Sequence, residues 1–199
     1  MSSIECDEAV RDALATDLNG AVEQLVQTYQ DRLYRFALRS CANAQDAEEI
    51  VQDAFVRAHK ALTGYCEERI RAMALRPWLY RITLNVARNR ARKKLPINVP
   101  LVVKDETATG RPQQEPVAAE HERPDAVLER AQVRTDMAER LAVLPERYRV
   151  ALVLRYIEDL SYEEAAMIVE RPVGTMKSDV HRGLALLRKE MESCGGEGW

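Results

Sequence analysis

The sequence predicts an all-α protein made of two small helical domains joined by a flexible linker. Residues 21–94 and 125–192 carry apolar side chains at intervals of three and four, the period of an amphipathic helix. Between them, residues 95–124 contain five prolines, several acids and no helical period, which is typical of an extended tether. No alternation typical of a β-strand competes with this interpretation.

Two short segments complete the predicted organisation. Residues 1–20 form an N-terminal extension before the first domain, and residues 193–199 form a glycine-containing tail that we expect to fray. A hydrophobic fraction of 46% over 199 residues is enough to build packed cores. The sequence therefore describes a folded protein with two cores.

Composition excludes several classes of protein. The apolar runs span only a handful of residues and the N-terminus is acidic, so neither a signal peptide nor a membrane span is predicted. The four cysteines, Cys6, Cys41, Cys66 and Cys194, show no C-x-x-C pairing and no histidine at ligand spacing. We expect reduced thiols in a cytoplasmic protein, with no metal site and no cofactor. Buried, inert thiols at Cys41 and Cys66 are favoured over oxidant sensing.

The charges of the chain are segregated. The net charge is −3, but residues 69–94 hold nine basic side chains and no acid, whereas residues 1–68 hold six basic and thirteen acidic ones. A basic block repels itself unless it faces an anion. A single basic stripe on an otherwise acidic chain therefore indicates a localised phosphate-binding surface.

The first predicted helix that carries a candidate site covers residues 46–62. One broad apolar face comprises Ala47, Ile50, Val51, Ala54, Phe55, Ala58 and Leu62. The opposite face is polar except for one valine and comprises Glu49, Gln52, Asp53, Val56 and Lys60. A solvated surface explains this face, but an apolar side chain ringed by charge is also typical of a helix that docks on a partner.

A second helix, predicted over residues 78–94, carries the basic stripe. Its apolar side comprises Leu79, Ile82, Val86 and Ala87, and the stripe on the other side comprises Arg81, Asn85, Arg88 and Arg92, with Asn89 near its edge. Arginine donates in a plane to phosphate, and an asparagine amide can pair with a base edge. Trp78 and Tyr80 could stack on unpaired bases, although core packing is the more frequent role of such a tryptophan.

The C-terminal segment predicts a helix-turn-helix. Ser161 followed by Glu164 is a capping-box pattern that begins a helix, and Pro172 can open the next one but cannot lie inside it. The second helix is expected to bury Val173, Met176, Val180, Leu184, Leu187 and Met191. Its opposite face is small near the start and basic further on, which lets the N-terminal end approach a major groove; this face comprises Gly174, Thr175, Ser178, His181, Arg182, Ala185 and Lys189.

These motifs resemble, in order and over nearly the whole chain, bacterial sigma factors of the extracytoplasmic-function group of the sigma-70 family. The polymerase-docking helix of that group is similar to DAEEIVQDAFVRAHKAL, and its −10 element helix is similar to WLYRITLNVARNRARKK. The −35-reading domain resembles the segment LPERYRVALVLRYIEDLSYEEAAMIVERPVGTMKSDVHRGLALLRK. Residues 21–94 would then be sigma region 2 and residues 125–192 sigma region 4.

The resemblance implies the partners and the role of each site. The partners are RNA polymerase core, at the clamp helices of its largest subunit and its flap region, promoter DNA and an anti-sigma factor. Polymerase docking is assigned to Glu49, Gln52, Asp53 and Val56. The opened −10 strand is assigned to Arg81, Asn85, Arg88, Asn89 and Arg92. The −35 duplex is assigned to Thr175, Lys177, Ser178, His181 and Arg182.

Two features depart from the family pattern. Residues 63–77 are longer than the loop with which the family holds a flipped base. Asp179 stands where the family usually has an arginine, which is expected to weaken the basic character of the −35 helix. An aspartate can accept from a cytosine amine but repels phosphate.

Two other functions explain parts of the sequence. A stand-alone helix-turn-helix regulator that binds duplex DNA as a dimer accounts for the C-terminal motif, but not for the basic stripe or the acidic tether. A nucleic-acid-modifying enzyme would need paired carboxylates, a metal-ligand cluster, a phosphate loop or an activated nucleophile, and the sequence shows no such site. We therefore expect no catalytic residue.

Overall fold

Helices account for nearly all of the residues that the computed structural model describes, which are 3–41, 43–94, 137 and 140–194. The first module contains α1 (Ser3–Thr16), α2 (Leu18–Cys41), α3 (Ala44–Leu62), α4 (Glu67–Ala72) and α5 (Leu75–Lys94). The second contains helical residues 140–143, α6 (Glu146–Leu152), a π-helical turn (Val153–Ile157), α7 (Tyr162–Val169) and α8 (Val173–Cys194). The predicted all-α class is confirmed. The predicted linker, residues 95–124, lies outside the described residues.

The core of the first module forms where α2, α3 and α5 pack against one another. The largest fully buried side chains of this core are Leu14, Leu25, Tyr29, Leu33, Phe36, Ile50, Leu62, Leu79, Tyr80 and Leu84. The apolar face predicted for residues 46–62 is buried as expected, except that Phe55 is only half-buried. Burial of such side chains is the main stabilising contribution to a small helical domain.

Side-chain caps fix where the helices of the first module begin. The Asn43 side chain accepts a 3.2 Å hydrogen bond from the Asp46 backbone N–H at the start of α3. Asp17, which lies between α1 and α2, accepts a 3.1 Å bond from the Gly20 N–H. Each bond satisfies an N–H that has no partner within its own helix.

The structure adds two helices to the sequence-based description of the first module. Part of the N-terminal extension forms α1, which packs on α2 and α4 and buries Val10 and Leu14. The stretch 63–77 is not simply a loop, because it contains α4, whose Ile70 is buried. It also contains the first turn of α5, which begins at Leu75, three residues before the predicted start.

The second module contains the predicted helix-turn-helix. The capping box at the start of α7 is present in full: Glu164 N–H donates to Ser161 Oγ at 3.1 Å, and Ser161 N–H donates to the Glu164 carboxylate at 2.8 Å. Helix α7 ends at Val169. The next residue, Glu170, caps the helix and adopts a left-handed conformation with φ 55°. The chain can therefore turn sharply into α8, which begins directly after Pro172.

The buried stripe of α8 is shorter than predicted. Met176 and Val180 are buried, but Leu184 and Met191 are 40% and 49% exposed, so their predicted burial is wrong. Helix α6 meets α8 near Gly183, where an added Cβ would lie 3.1 Å from Leu152 Cγ. The helical period predicts burial along the whole of α8, but side chains are buried only where a neighbouring helix covers them.

The close approach at Gly183 yields a stability prediction. Gly183→Val places three carbons where Leu152 and Tyr148 already lie within 3.1 to 3.3 Å of the first of them. The free energy of unfolding should fall by about 1–3 kcal/mol, the usual cost of overpacking. Urea denaturation followed by far-UV circular dichroism measures it. Gly174→Val is the matched control, because nothing lies within 4 Å of its Cβ position. Equal stability of the two variants would contradict the assigned contact.

Candidate nucleic-acid interface

The polar face of α3 is presented to solvent around one apolar side chain. Gln52 and Asp53 are exposed, and Val56 between them is 52% exposed. Glu49 is half-buried because Arg90 of α5 donates to its carboxylate. The Arg90 Nε also donates to Asp46 at 3.0 Å. These pairs tie α3 to α5 and fix the orientation of the exposed face.

The basic stripe of α5 is only partly open to solvent. Asn85 and Arg92 are exposed, while Arg81, Arg88 and Asn89 are half-buried. Arg92 donates to the Asn89 side-chain oxygen, so these two members of the stripe hold each other. All five residues predicted to contact the −10 strand thus lie on α5. Of the two asparagines among them, Asn85 is the exposed one.

The two aromatic side chains near the start of α5 are part of the packing of the first module. Trp78 is half-buried, and its ring centroid lies 6.2 Å from that of Tyr65. Tyr80 is fully buried, and its ring packs edge-on against Phe36 at 5.1 Å. Tyr80 therefore has no exposed ring face on which a base could stack. Trp78, for which core packing was the favoured interpretation, packs against the core but is only partly buried.

The two modules are in direct contact, which the sequence did not predict. Helix α5 packs on α7. Tyr80 donates to the carboxylate of Glu158, which is only 8% exposed, and Arg76 donates to the Glu158 backbone oxygen. Burial and the neighbouring Glu158 carboxylate raise the pKa of the Tyr80 phenol, which therefore remains a donor.

Two members of the basic stripe also form ion pairs with the second module. The Arg88 Nε lies 2.9 Å from a Glu146 carboxylate oxygen on α6. An Arg81 nitrogen lies 3.8 Å from the carboxylate of Glu170, at the end of α7. Carboxylates of the second module thus occupy part of the surface that the sequence assigned to phosphate.

The side chains of α8 that were predicted to contact the −35 duplex lie at the surface. Lys177, Ser178, His181 and Arg182 are exposed, and Thr175 is half-buried. Ser178 Oγ donates to the Gly174 backbone oxygen at 2.9 Å, so its proton is used within the helix and its oxygen is left as an acceptor. The Lys177 ammonium lies 5.6 Å from the Tyr162 ring centroid, a cation–π contact between α8 and α7.

The expectation that Asp179 weakens this face is wrong, because its side chain does not belong to the face. The carboxyl group is 3% exposed and accepts from Arg147 at 2.9 and 2.5 Å and from Arg171 at 3.2 Å. Arg147 lies in α6 and Arg171 in the turn before α8. Asp179 therefore joins three parts of the module and holds two arginines beside the start of α8. A helical wheel places Asp179 next to the exposed face but cannot identify such partners.

The described cysteines differ in exposure. Cys66 is exposed, so the expectation of a buried thiol is wrong there, whereas Cys6 and Cys41 are half-buried. No helix within the described part of the chain is long and apolar enough to cross a membrane.

Two families of known proteins match the two modules in order. The Sigma-70 region 2 family matches residues 25–95, and the Sigma-70 region 4 family matches residues 134–187. The ECF RNA polymerase sigma factor SigW of Bacillus subtilis is 32% identical over 171 residues, covering 86% of this chain and 89% of SigW. The RNA polymerase sigma-H factor of Pseudomonas aeruginosa is 31% identical over 175 residues, covering 86% of each chain.

Solved structures agree with these matches. The structure of CnrH in complex with the cytosolic domain of CnrY is similar with a TM-score of 0.64 and 25% identity, covering 94% of this chain and 98% of CnrH. The sigma factor RpoE from Bartonella quintana, in complex with the anti-sigma factor NepR, has a TM-score of 0.62 and 22% identity, covering 85% and 96%. The latter likeness supports the fold alone.

The buried Asp179 carboxylate yields the prediction of this section. Asp179→Asn keeps the side-chain shape but removes the charge that two arginines share, so the free energy of unfolding should fall by about 1–3 kcal/mol. Asp53→Asn, at an exposed aspartate, should change it by less than about 0.5 kcal/mol. Urea denaturation of the full chain compares the two. An unchanged midpoint for Asp179→Asn would mean that its ion pairs do not stabilise the module.

Proposed function

The chain belongs to the extracytoplasmic-function (ECF) sigma factors of RNA polymerase, and we propose that three of its exposed helical faces divide the work of such a factor. Sigma factors of this family bind polymerase core, recognise the −35 and −10 promoter elements and promote strand opening. The observation that carries the proposal is the match of regions 2 and 4, in that order, to two packed helical modules. A stand-alone dimeric regulator would not need the first module.

The exposed face of α3 is the polymerase-docking surface in this proposal. Val56 supplies an apolar contact, and Gln52 and Asp53 supply polar contacts around it. Such an arrangement, an apolar centre inside a polar rim, is typical of protein interfaces. Glu49 contributes at the edge, where its bond with Arg90 restricts its motion. The partner surface would be the clamp helices of the largest polymerase subunit, with the flap region contacting the second module.

The basic stripe of α5 captures the opened −10 strand. Asn85 is exposed and can both donate to and accept from a base edge, while Arg88 and Arg92 supply charge for phosphate. Unstacking a base costs a few kcal/mol. Strand opening would then follow from preferential binding of unstacked bases, without covalent chemistry and without a cofactor.

The exposed face of α8 reads the −35 duplex. Its small first residues let the helix N-terminus approach the groove, and Arg182 and Lys177 are exposed cations that can contact base edges and phosphate. We add Arg147 and Arg171 as phosphate contacts that sequence reasoning missed. Their side chains are 43% and 39% exposed, and Asp179 orients both beside the start of α8.

The remaining assignments concern organisation and regulation. Region 2 would extend over residues 21–94 and region 4 over residues 125–192, with residues 95–124 as the tether between them. An anti-sigma factor is a further partner, since CnrH and RpoE are each similar to this chain and were solved with the cytosolic domain of CnrY and with NepR, respectively. A protein with this role acts in the cytoplasm and is not an enzyme.

A double substitution on α3 tests the docking surface. Asp53→Arg with Val56→Glu replaces the apolar centre by charge and reverses a neighbouring charge, so co-purification with polymerase core should be lost while the protein stays folded. Asp31→Arg with Gln24→Glu makes the same net change of charge at exposed positions of α2 and should leave co-purification unchanged. Undiminished binding by the folded Asp53/Val56 variant would remove the assignment of this face.

Separate substitutions test the division of labour between the modules. Arg182→Ala should weaken binding to the −35 duplex by about 1–3 kcal/mol if one base contact is lost. Asn85→Ala should leave that binding nearly normal and reduce strand opening, because Asn85 lies on the other module. Duplex-binding measurements and permanganate footprinting of the holoenzyme on closed and pre-melted templates report the two steps. If Asn85→Ala weakened the −35 interaction as much as Arg182→Ala does, the division would be wrong.

A further inference from the structure

Asp179 carries a charge of the same sign as DNA in the middle of a helix that we assign to DNA. It lies on α8 directly after Ser178 and two residues before His181, both of which are assigned to the −35 duplex. A carboxylate repels phosphate, yet this one is only 3% exposed, so DNA cannot reach it. Any influence of Asp179 on DNA binding must therefore pass through the side chains that it holds.

The Asp179 carboxylate joins two cations that come from different parts of the second module. Its Oδ1 accepts from Arg147 Nε at 2.9 Å and from Arg147 Nη2 at 2.5 Å, and its Oδ2 accepts from Arg171 Nη1 at 3.2 Å. Arg147 belongs to α6, and Arg171 belongs to the turn between α7 and α8. One buried group thus brings two guanidinium groups side by side near the start of the recognition helix.

These bonds do not use up the capacity of the two arginines to bind an anion. A guanidinium has five N–H donors, and Asp179 accepts two from Arg147 and one from Arg171. Both side chains remain more than a third exposed. Because two arginines share one carboxylate, the three groups together keep a positive charge. A phosphate oxygen can therefore approach from solvent while the buried carboxylate holds each guanidinium in place.

Both cations lie where the DNA backbone passes in a helix-turn-helix complex. The N-terminal residues of the second helix contact base edges in the major groove, so groups around that end face the phosphates that border the groove. Arg171 lies in the turn that leads into α8, and only Pro172 separates it from the first residue of this helix. A phosphate contact carries no sequence information, but it fixes the register of the helix in the groove.

We propose that Asp179 is a positioning residue for −35 binding, which holds Arg147 and Arg171 as a clamp on two phosphates of the duplex. The proposal rests on the assignment of α8 to the −35 element and deepens it, because DNA affinity then depends on a carboxylate that never touches DNA. An arginine without an anchor must lose the freedom of a long side chain when it binds phosphate. The two arginines of the clamp lose that freedom when the protein folds, before DNA arrives.

Positioning and simple electrostatics predict opposite effects when this carboxylate is removed. Loss of a negative charge should strengthen DNA binding if only the total charge of the module matters. Loss of the anchor should weaken DNA binding if the orientation of the two arginines matters. The second effect is the larger one, because the buried carboxylate is already paired with two cations. Each phosphate contact that is lost, in contrast, changes the slope of log affinity against log salt by about 0.9.

The salt dependence of DNA binding tests the clamp. Holoenzyme that contains the full-length chain is titrated, with fluorescence anisotropy as the readout, onto a duplex from a promoter that it transcribes, cut so that it carries the −35 element and no −10 element. Asp179→Asn keeps the side-chain shape and should release both arginines. Its affinity should be about tenfold below that of the wild type at about 50 mM salt and nearly equal to it at about 200 mM. Arg147→Gln and Arg171→Gln should each lower the slope by about 0.9.

Asp159→Asn is the matched control for the loss of one negative charge. It makes the same chemical change in the same module, at an aspartate whose side chain is 95% exposed. Both the affinity and the salt slope of this variant should equal those of the wild type. Circular dichroism at the temperature of the titration establishes that each variant is folded, and co-purification establishes that each one binds polymerase core.

The salt slope separates positioning from a purely structural role of Asp179. Partial unfolding would lower the affinity of Asp179→Asn by the same factor at every salt concentration. Such a uniform loss, or a folded variant that binds as tightly as the wild type or more tightly, would overturn the proposal. If Asp179→Asn does not fold, the two arginine variants decide, since unchanged slopes in both would leave Asp179 no phosphate contact to position. Failure of the −35 assignment would appear instead as unchanged binding by Arg182→Ala holoenzyme.

Discussion

The packing of α5 is the constraint on which the rest of the structure depends. Its buried side, which includes Leu79 and Leu84, completes the core with α2 and α3. At one edge Arg90 holds α3 through Asp46 and Glu49. At the other edge the helix contacts α7. Because one helix does all three, the orientation of the exposed face of α3, the basic stripe of α5 and the position of the second module cannot be set independently.

The same helix explains how a basic block is tolerated in an acidic chain. Nine basic side chains between residues 69 and 94 would repel one another in isolation. In the structure, Arg90, Arg88 and Arg81 each face carboxylates from another helix. Such partly exposed pairs contribute little to stability one by one. Together they neutralise three of these nine charges within the folded protein, so that part of the block needs no external anion.

The sequence predicted features that depend on neighbours along the chain. The helical period located the buried face of α3, and the capping box located the start of α7, because both are set within a few residues. It failed where the partner comes from a distant segment. A helical wheel places Asp179 beside the exposed face of α8, but it contains no information about Arg147, which lies 32 positions away and pairs with the Asp179 carboxylate. Leu184 was expected to be buried because periodicity does not show where the neighbouring helix ends.

Apolar packing and polar bonds together position α8 and the second module. Between α6 and α8, Gly183 lets the helices approach within van der Waals distance of Leu152, and Arg147 of α6 donates to the buried Asp179 carboxylate of α8. Separation of α8 from α6 would expose apolar surface and leave the buried Asp179 carboxylate without Arg147, so both contributions hold α8 in place. Between the modules, Tyr80 of α5 donates to the buried carboxylate of Glu158, and buried apolar side chains of both modules belong to one cluster. Burial of apolar side chains together with a hydrogen-bonded buried carboxylate therefore joins α8 to α6 and also joins the first module to the second.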